Sequence, residues 1–378
     1  MTLPSLPAQG APWMTYATAL DAAVRGATRV QRGFGGRTLY VRGTSYETPN
    51  NVGYVEELAA AVGSTSILNA ATGGSNSPLL PYQYMQHPTA AWVPGSSDGD
   101  VLIGEVGDPL SESDDPAIWK QSRDVFQNQI ETALRWHRAS EYRPMDHSTV
   151  TLGPGVTFEN FSVPAVAMVN AANVSAGGSV TLTPATDAGE IALISVPWRS
   201  SANATNNGDF QYRVDGGPWF TDTTVDKGDS RPDGENIVVT LRTTRIRGLT
   251  PTSVIEVEAL SGVVLLDGYL VMGNPNPPSI MLMQPVPLIE VGGAWDFPGG
   301  EISENPNKNN TSQERYREII RNIAAAPEFA DGTVVVADPA PIWNAATDLN
   351  PDQIHPNATT GRAAHVTAGR VAAQLVGR

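Results

Sequence analysis

Downstream of residue 37, two hydrophobic periods take turns along the chain. "TLYVRG" (38–43) is a short apolar run, and "VGYVEELAAAV" (52–62) repeats at helical spacing through Val52, Val55, Leu58/Ala59 and Val62. "TSILNA" (65–70) and "DVLIGEV" (100–106) predict two more strands. A long helix is predicted over 117–139, with Ile118, Val125/Phe126, Ile130 and Ala133/Leu134 on one face and Pro116 near its start, where proline is tolerated. Strand, helix, strand, strand, helix is the opening of a doubly wound α/β domain.

Between about 146 and 273 the helical period disappears. Short alternating runs replace it: "STVTL", "GSVTLT", "EIALISV", "FQYRVDGG", "NIVVTL", "VIEVEAL" and "GVVLLDGYLV". In "FQYRVDGG", Phe210, Tyr212 and Val214 alternate with polar residues, and Asp215-Gly216 signals a hairpin. These runs predict a β-sandwich. Pro275, Pro277 and Pro278 close it, and the α/β pattern resumes with "SIMLMQ", an amphipathic helix over 311–326 (Tyr316, Ile319/Ile320, Ile323), "GTVVVAD" and a closing helix over 359–376. The β module thus reads as inserted into one α/β domain, with divisions at 31–145, 146–273 and 274–378 and a separate segment at 1–30.

A chain of 378 residues is long enough for two cores. The net charge of −15 and the lack of any Lys/Arg run argue against nucleic acid and anionic membrane surfaces as partners. No cysteine is present, which removes thiolate nucleophiles, thiolate metal sites and disulfides. No apolar run reaches the length of a membrane span. The first residues show neither the basic start nor the apolar stretch of a secretion signal, so the expected route out of a cell is another one, such as lysis.

In an open parallel sheet, ligands bind beyond the carboxyl ends of the strands. Ser45 follows the first strand, the glycine-rich "NAATGGSNS" follows the second, "GDPLSESDD" the third, and Asp352 and His355 follow the last. A hydroxyl nucleophile needs a base, the base needs an orienting carboxylate, and the developing oxyanion needs N–H donors that a glycine-rich loop can supply.

These blocks resemble the SGNH (GDSL) hydrolase family. "VRGTSYETPNNVGYVEELAAAVG" is similar to its first block, "ILNAATGGSNS" to its second, and "NPDQIHPNATTGRAAHVTAGRVA" to its last, with the strand-forming "GTVVVADPAPIW" ahead of it. The resemblance covers about residues 31–140 and 274–378. It implies an SGNH/flavodoxin-like doubly wound parallel sheet, here carrying an inserted all-β, jelly-roll-like sandwich. It further implies Ser45 as nucleophile, His355 as general base, Asp352 as its partner, an oxyanion hole from the N–H groups of Ser45 and Gly74, and no cofactor or metal. Gly74 is placed by counting five from Asn69, which leaves Gly73 as its neighbour in the count. The family's Gly-Asp-Ser is Gly43-Thr44-Ser45 here, and its Gly-x-Asn-Asp is Gly107-Asp108-Pro109-Leu110, without the asparagine that serves as third donor. Asn76 is the candidate substitute; otherwise the enzyme is slow or inactive.

Other features read as structural. Asp108 is expected in a solvated acidic loop, His365 on the surface of the closing helix, and Asp146-His147 at a junction. The acids Asp222, Asp226, Asp229, Asp233 and Glu235 match no Ca²⁺ loop. Trp198, Tyr212, Trp219 and Phe220 are either core or a sugar-stacking surface.

The expected function is a serine esterase acting on acyl esters of cell-envelope carbohydrate. Residues 1–30 resemble the attachment segments of phage tail appendages, and inserted sandwiches occur in tail-associated SGNH proteins. The esterase is expected as part of a phage tail in the virion, with other tail chains or as a homo-oligomer, or else extracellular; the alternative is a catalytically weak or inactive minor tail or receptor-binding protein that binds the host surface.

Overall fold

A computed structural model describes residues 33–48, 53–112, 116–159, 171–186, 189–199, 208–224, 238–297, 301–302 and 308–376. The first apolar run forms β1 (Thr38–Arg42), and the helical repeat after it forms α1 (Tyr54–Val62). β2 (Ser66–Asn69), β3 (Gly99–Ile103) and α2 (Pro116–Arg138) follow, then β4 (Ile280–Met283), α3 (Asn310–Ala325), β5 (Val334–Ala337) and α4 (Thr360–Ala373). The five strands make one parallel sheet in the order β2-β1-β3-β4-β5.

Alternation along these strands assigns the two faces. Val101, Ile103, Ile280 and Leu282 pack with Phe126 and Ile130 of α2 and Tyr316 and Ile320 of α3. Leu39, Val41, Leu102, Met281 and Met283 pack with Leu58 of α1 and Ala368 of α4. Both faces are covered, as parallel sheets require. The helices α1 and α4 meet closely: a Cβ on Gly369 would sit 2.7 Å from a Leu58 methyl carbon.

The described residues between 141 and 271 form antiparallel sheets. Strands Arg242–Arg247, Glu190–Ser195, Val263–Val271, Ala171–Ser175 and Val156–Glu159 run side by side, and Glu141–Pro144 pairs with Val263–Val271. A five-stranded sheet holds Phe220–Thr223, Asp209–Val214, Ile255–Ala259, Ser179–Leu182 and Val150–Leu152. Val174, Leu193 and Val264 of the first share an apolar core with Val180, Phe210 and Val257 of the second. The hairpin signal corresponds to a turn in which Asp215 and Gly216 have φ of 52° and 68°, as a type I′ turn demands.

The predicted strand "NIVVTL" is broken in the structure. Val238–Val239 pairs with Trp198–Arg199, and the longer strand begins only at Arg242. Residues 1–30 of the expected attachment segment, Val52 of the α1 pattern, and Asp226, Asp229, Asp233 and Glu235 lie outside the described residues.

Candidate active site

β1 ends at Arg42, and after Gly43 comes a tight turn in which Glu47 N–H donates to Thr44 O at 3.2 Å. Gly43 has φ 148°, and a Cβ there would lie 2.4 Å from a Glu47 carboxylate oxygen, so only glycine fits. Gln83, buried, takes both backbone groups of Gly43: its Oε1 accepts from the N–H and its Nε2 donates to the carbonyl, each at 2.8 Å. Thr44 N–H is held by Glu105 O at 3.0 Å and by the Glu47 carboxylate at 2.8 Å. Ser45 is therefore presented, half-buried, from a turn fixed on both sides.

The second loop follows β5. Its Asp352 Oδ1 accepts from the N–H groups of Ile354 and His355, each at 2.9 Å, while Gln353 takes φ 57°. Asn357 then organises the entry to α4: its Oδ1 accepts from Thr359 N–H at 3.0 Å and Gly361 N–H at 3.1 Å. The two loops are tied by Tyr46, whose hydroxyl donates to Ile354 O at 2.8 Å and whose ring lies 5.3 Å from that of His355.

Across this junction Ser45 Oγ lies 2.7 Å from His355 Nε2, and His355 Nδ1 lies 2.7 Å from Asp352 Oδ2. Partial burial pushes the Asp352 carboxyl up, but the two backbone N–H groups and the imidazole outweigh it and hold the carboxyl below its ordinary value. An ionised Asp352 accepts only, so Nδ1 carries the hydrogen and Nε2 is left to receive the Ser45 proton. This is the geometry of an activated hydroxyl.

Of the glycine-rich loop, Gly73 is the residue beside the serine: a Cβ on it would lie 3.9 Å from Ser45 Cβ. Gly74, the residue expected from the count, has φ 71° in a turn closed by Ser75 N–H to Thr72 O at 3.2 Å, and a Cβ on it would meet nothing within 4 Å. Both glycines are exposed. Asn76 is buried, with its Oδ1 against Gly107, where a Cβ would come within 2.6 Å.

Two expectations are corrected. Asp108 is buried, and its carboxylate accepts from Ser77 N–H and Oγ–H at 2.6 Å each; it holds the start of the turn Ser77–Leu79 and is not a solvated acid. His365 is fully buried, with Nε2 2.9 Å from Glu105 Oε1 and Nδ1 2.9 Å from Gly361 O. It reads as surface in sequence because α4 is rich in alanine and glycine, a pattern with little contrast between its faces. Glu47, Gln83 and Glu105 carried no motif signal at all. The one local hint was that two glycines, Gly43 and Gly104, stand where a buried carboxylate needs room.

The aromatic residues of the β module divide. Tyr212 and Phe220 stack at 5.5 Å, and Phe220 is 51% exposed; Trp219 faces Arg213, whose guanidinium carbon is 4.5 Å from the ring centre. His147 Nδ1 lies 2.8 Å from Thr149 Oγ1, a local turn contact. Among the described residues no cluster of three or more His, Asp or Glu is arranged to hold a metal ion, and no helix is long and apolar enough to cross a membrane.

No protein-family model and no curated protein matches the chain. Among solved structures it is similar to a two-domain esterase active on acetylated mannans, at 9% identity and TM-score 0.34, over 68% of this chain and 95% of that one. It is also similar to porcine torovirus hemagglutinin-esterase, at 9% identity and TM-score 0.40, over 88% of this chain and 87% of that one. A family 35 carbohydrate binding module from Clostridium thermocellum matches 35% of this chain, with 98% of its own length covered, at 9% identity and TM-score 0.27. Likenesses at this level decide neither the fold nor the activity.

Proposed function

We propose that the chain is a serine ester hydrolase of the SGNH type, built on a doubly wound α/β layer with an inserted, jelly-roll-like β-sandwich. The observation that carries this is the line from Ser45 Oγ through His355 to Asp352, with 2.7 Å at each step. In this reading Ser45 Oγ attacks the ester carbonyl carbon as its proton passes to His355 Nε2. Asp352 steadies the imidazolium that results. The tetrahedral intermediate collapses when the alcohol leaves with the proton from Nε2. Water, deprotonated by the same nitrogen, then attacks the acyl-enzyme and releases the carboxylic acid.

The oxyanion would meet the N–H of Ser45 and a backbone N–H from the Gly73-Gly74 pair. Gly74 is the family's position by count, and Gly73 is the one whose backbone borders Ser45. We assign the third donor to the Asn76 amide, since Asp108 is committed to Ser77 and Asn76 packs beside Gly107 at the end of the third strand's loop.

The substrate class is acyl ester on carbohydrate, with O-acetyl polysaccharide first. The acidic chain disfavours anionic lipid surfaces, and exposed Phe220 and Trp219 suit a sugar face. The finer reading, a virion tail protein acting on the host envelope, rests on the resemblance of residues 1–30 to attachment segments. Fluorophosphonate labelling with peptide mapping tests the core of the proposal: modification at Ser45 in the parent protein and none in His355→Ala. If the parent is not labelled while a control hydrolase is, the esterase reading is wrong and the binding role takes its place. A stable trimer, or dependence on neighbouring tail chains, would favour the virion role over a free enzyme.

A further inference from the structure

Behind the turn that presents Ser45 lies a second acid cluster, closed off from solvent. Glu47, 1% exposed, is reached by three donors: Thr44 N–H at 2.8 Å, Glu105 N–H at 3.0 Å and Tyr54 O–H at 2.7 Å. Two glycines give it room, since a Cβ on Gly43 or Gly104 would fall 2.4 Å and 2.2 Å from its carboxylate. Its own carbonyl accepts from Asn69 Nδ2 at 2.7 Å, which ties it to the end of β2. Three strand ends therefore converge on this one residue.

His365 Nδ1 faces Gly361 O at 2.9 Å, and a carbonyl cannot donate, so Nδ1 carries a hydrogen. The contact of Nε2 with Glu105 Oε1 at 2.9 Å needs one proton between them, on either atom. In both cases the His365–Glu105 pair has no net charge. Glu47 is then the remaining carboxyl; burial, reinforced by Glu105, pushes it up to about 8, while the bonds from Tyr54 and from the backbone of Glu105 and Thr44 pull the other way. Its oxygens accept from N–H and O–H donors, one of which belongs to the residue before Ser45.

We propose that Glu47 is a positioning residue for the nucleophile: its carboxylate holds Thr44 N–H and so fixes the turn from which Ser45 reaches His355. The proposal rests on Ser45 being the nucleophile, as set out above. A glutamine at this position keeps the volume but puts an NH₂ group where one of the N–H donors needs an acceptor.

The test uses the full chain with Glu47→Gln and Tyr54→Phe. It reads the rate of Ser45 phosphonylation, kcat and KM for an aryl acetate, and amide hydrogen exchange at Thr44 and Glu105. For Glu47→Gln, phosphonylation and kcat should fall by about 100-fold, the scale of a misplaced reacting group, while KM stays within about threefold. Exchange at Thr44 should quicken while that of β3 does not change. Tyr54→Phe, which leaves both backbone bonds in place, should lose less. A folded Glu47→Gln protein with parental labelling rate and parental Thr44 exchange overturns the proposal. Should that variant not fold, Glu47→Asp, whose shorter side chain withdraws the carboxyl from Thr44 N–H, takes its place, and parental kcat with parental Thr44 exchange in it overturns the proposal. If the parent itself is not labelled at Ser45, the esterase reading fails, and exchange at Thr44 alone decides whether Glu47 holds the turn.

Discussion

Two acid–histidine pairs, whose histidines stand ten residues apart in the chain, differ in almost every physical respect. Asp352–His355 lies in a loop, with the two side chains 43% and 23% exposed, and its free imidazole nitrogen meets Ser45. Glu105–His365 joins a strand end to a helix, with side chains 3% and 0% exposed, and both of its imidazole nitrogens are already committed. The first pair has a nitrogen to lend to a reaction. The second has none, and its position between the rings of Tyr54 and Trp343 makes it part of the packing. An acid beside a histidine is thus a chemical signal only when one nitrogen remains uncommitted.

The comparison breaks most visibly in the rates. Ser45→Ala, His355→Ala and Asp352→Asn should each lower kcat on an activated ester by about 10⁴-fold or more, with melting temperatures close to the parent. Initial-rate assays beside thermal melts check this, and an active His355→Ala protein would remove the distinction between the pairs. The opposite profile is expected at the second pair. His365→Ala leaves Glu105 buried without its partner and should cost about 3 kcal/mol in urea unfolding, the usual range for a broken buried pair.

Asn76→Ala should reduce kcat by about 100-fold, as for a lost oxyanion donor, with little change in KM. A smaller loss would assign the third donor elsewhere. The weakest effect concerns a third histidine. His137 is wholly buried among Tyr84 and Trp92; burial, aided by Arg42, pushes it down to about 3, while its bond to Ala133 O opposes the shift. The unfolded chain takes up the proton near 6.5 and the folded one does not, so stability is complete above about 6.5 and is lost as pH falls from there toward 3. At pH 5.5 the loss from this group should be on the order of 1 kcal/mol. Urea midpoints at pH 7 and 5.5 measure it, and His137→Phe should flatten that difference.

Much of this site was legible in the sequence because its signals are local. Ser45 follows a strand, and Asp352 and His355 share one turn three residues apart; spacing brings the pair to notice, and the resemblance of the flanking blocks to a known family joins it to Ser45. Glu47, Glu105 and His365 meet only after three strand ends and α4 converge, and no spacing encodes that. Asp108 shows the same limit: its acidic neighbours suggest solvent, yet it is Ser77, 31 residues away, that takes it inside. Gly73 and Gly74 cannot be told apart by counting, since what separates them is which backbone borders Ser45. The strands of the parallel sheet were readable from runs of apolar residues. The break in "NIVVTL" was not, since it depends on Trp198–Arg199 taking Val238–Val239 as a partner.

One feature of the fold bears on how such a chain can change over generations. The apolar face of α2 packs on the parallel sheet. Other side chains of the same helix engage the antiparallel strand Arg242–Arg247: Gln129 reaches Leu241 O at 2.7 Å, and Arg135 reaches Thr243 Oγ1 at 2.6 Å and Glu328 at 2.9 Å. Glu328 in turn binds Arg245 at 2.7 Å. The ends of the antiparallel region lie side by side, with Ser140 N–H bonded to Val271 O at 2.8 Å, so a cut and a short splice there would close the chain. Such a splice would still strip one side of α2. An exchange of the antiparallel region for another would have to come with new partners for Gln129 and Arg135 on this helix.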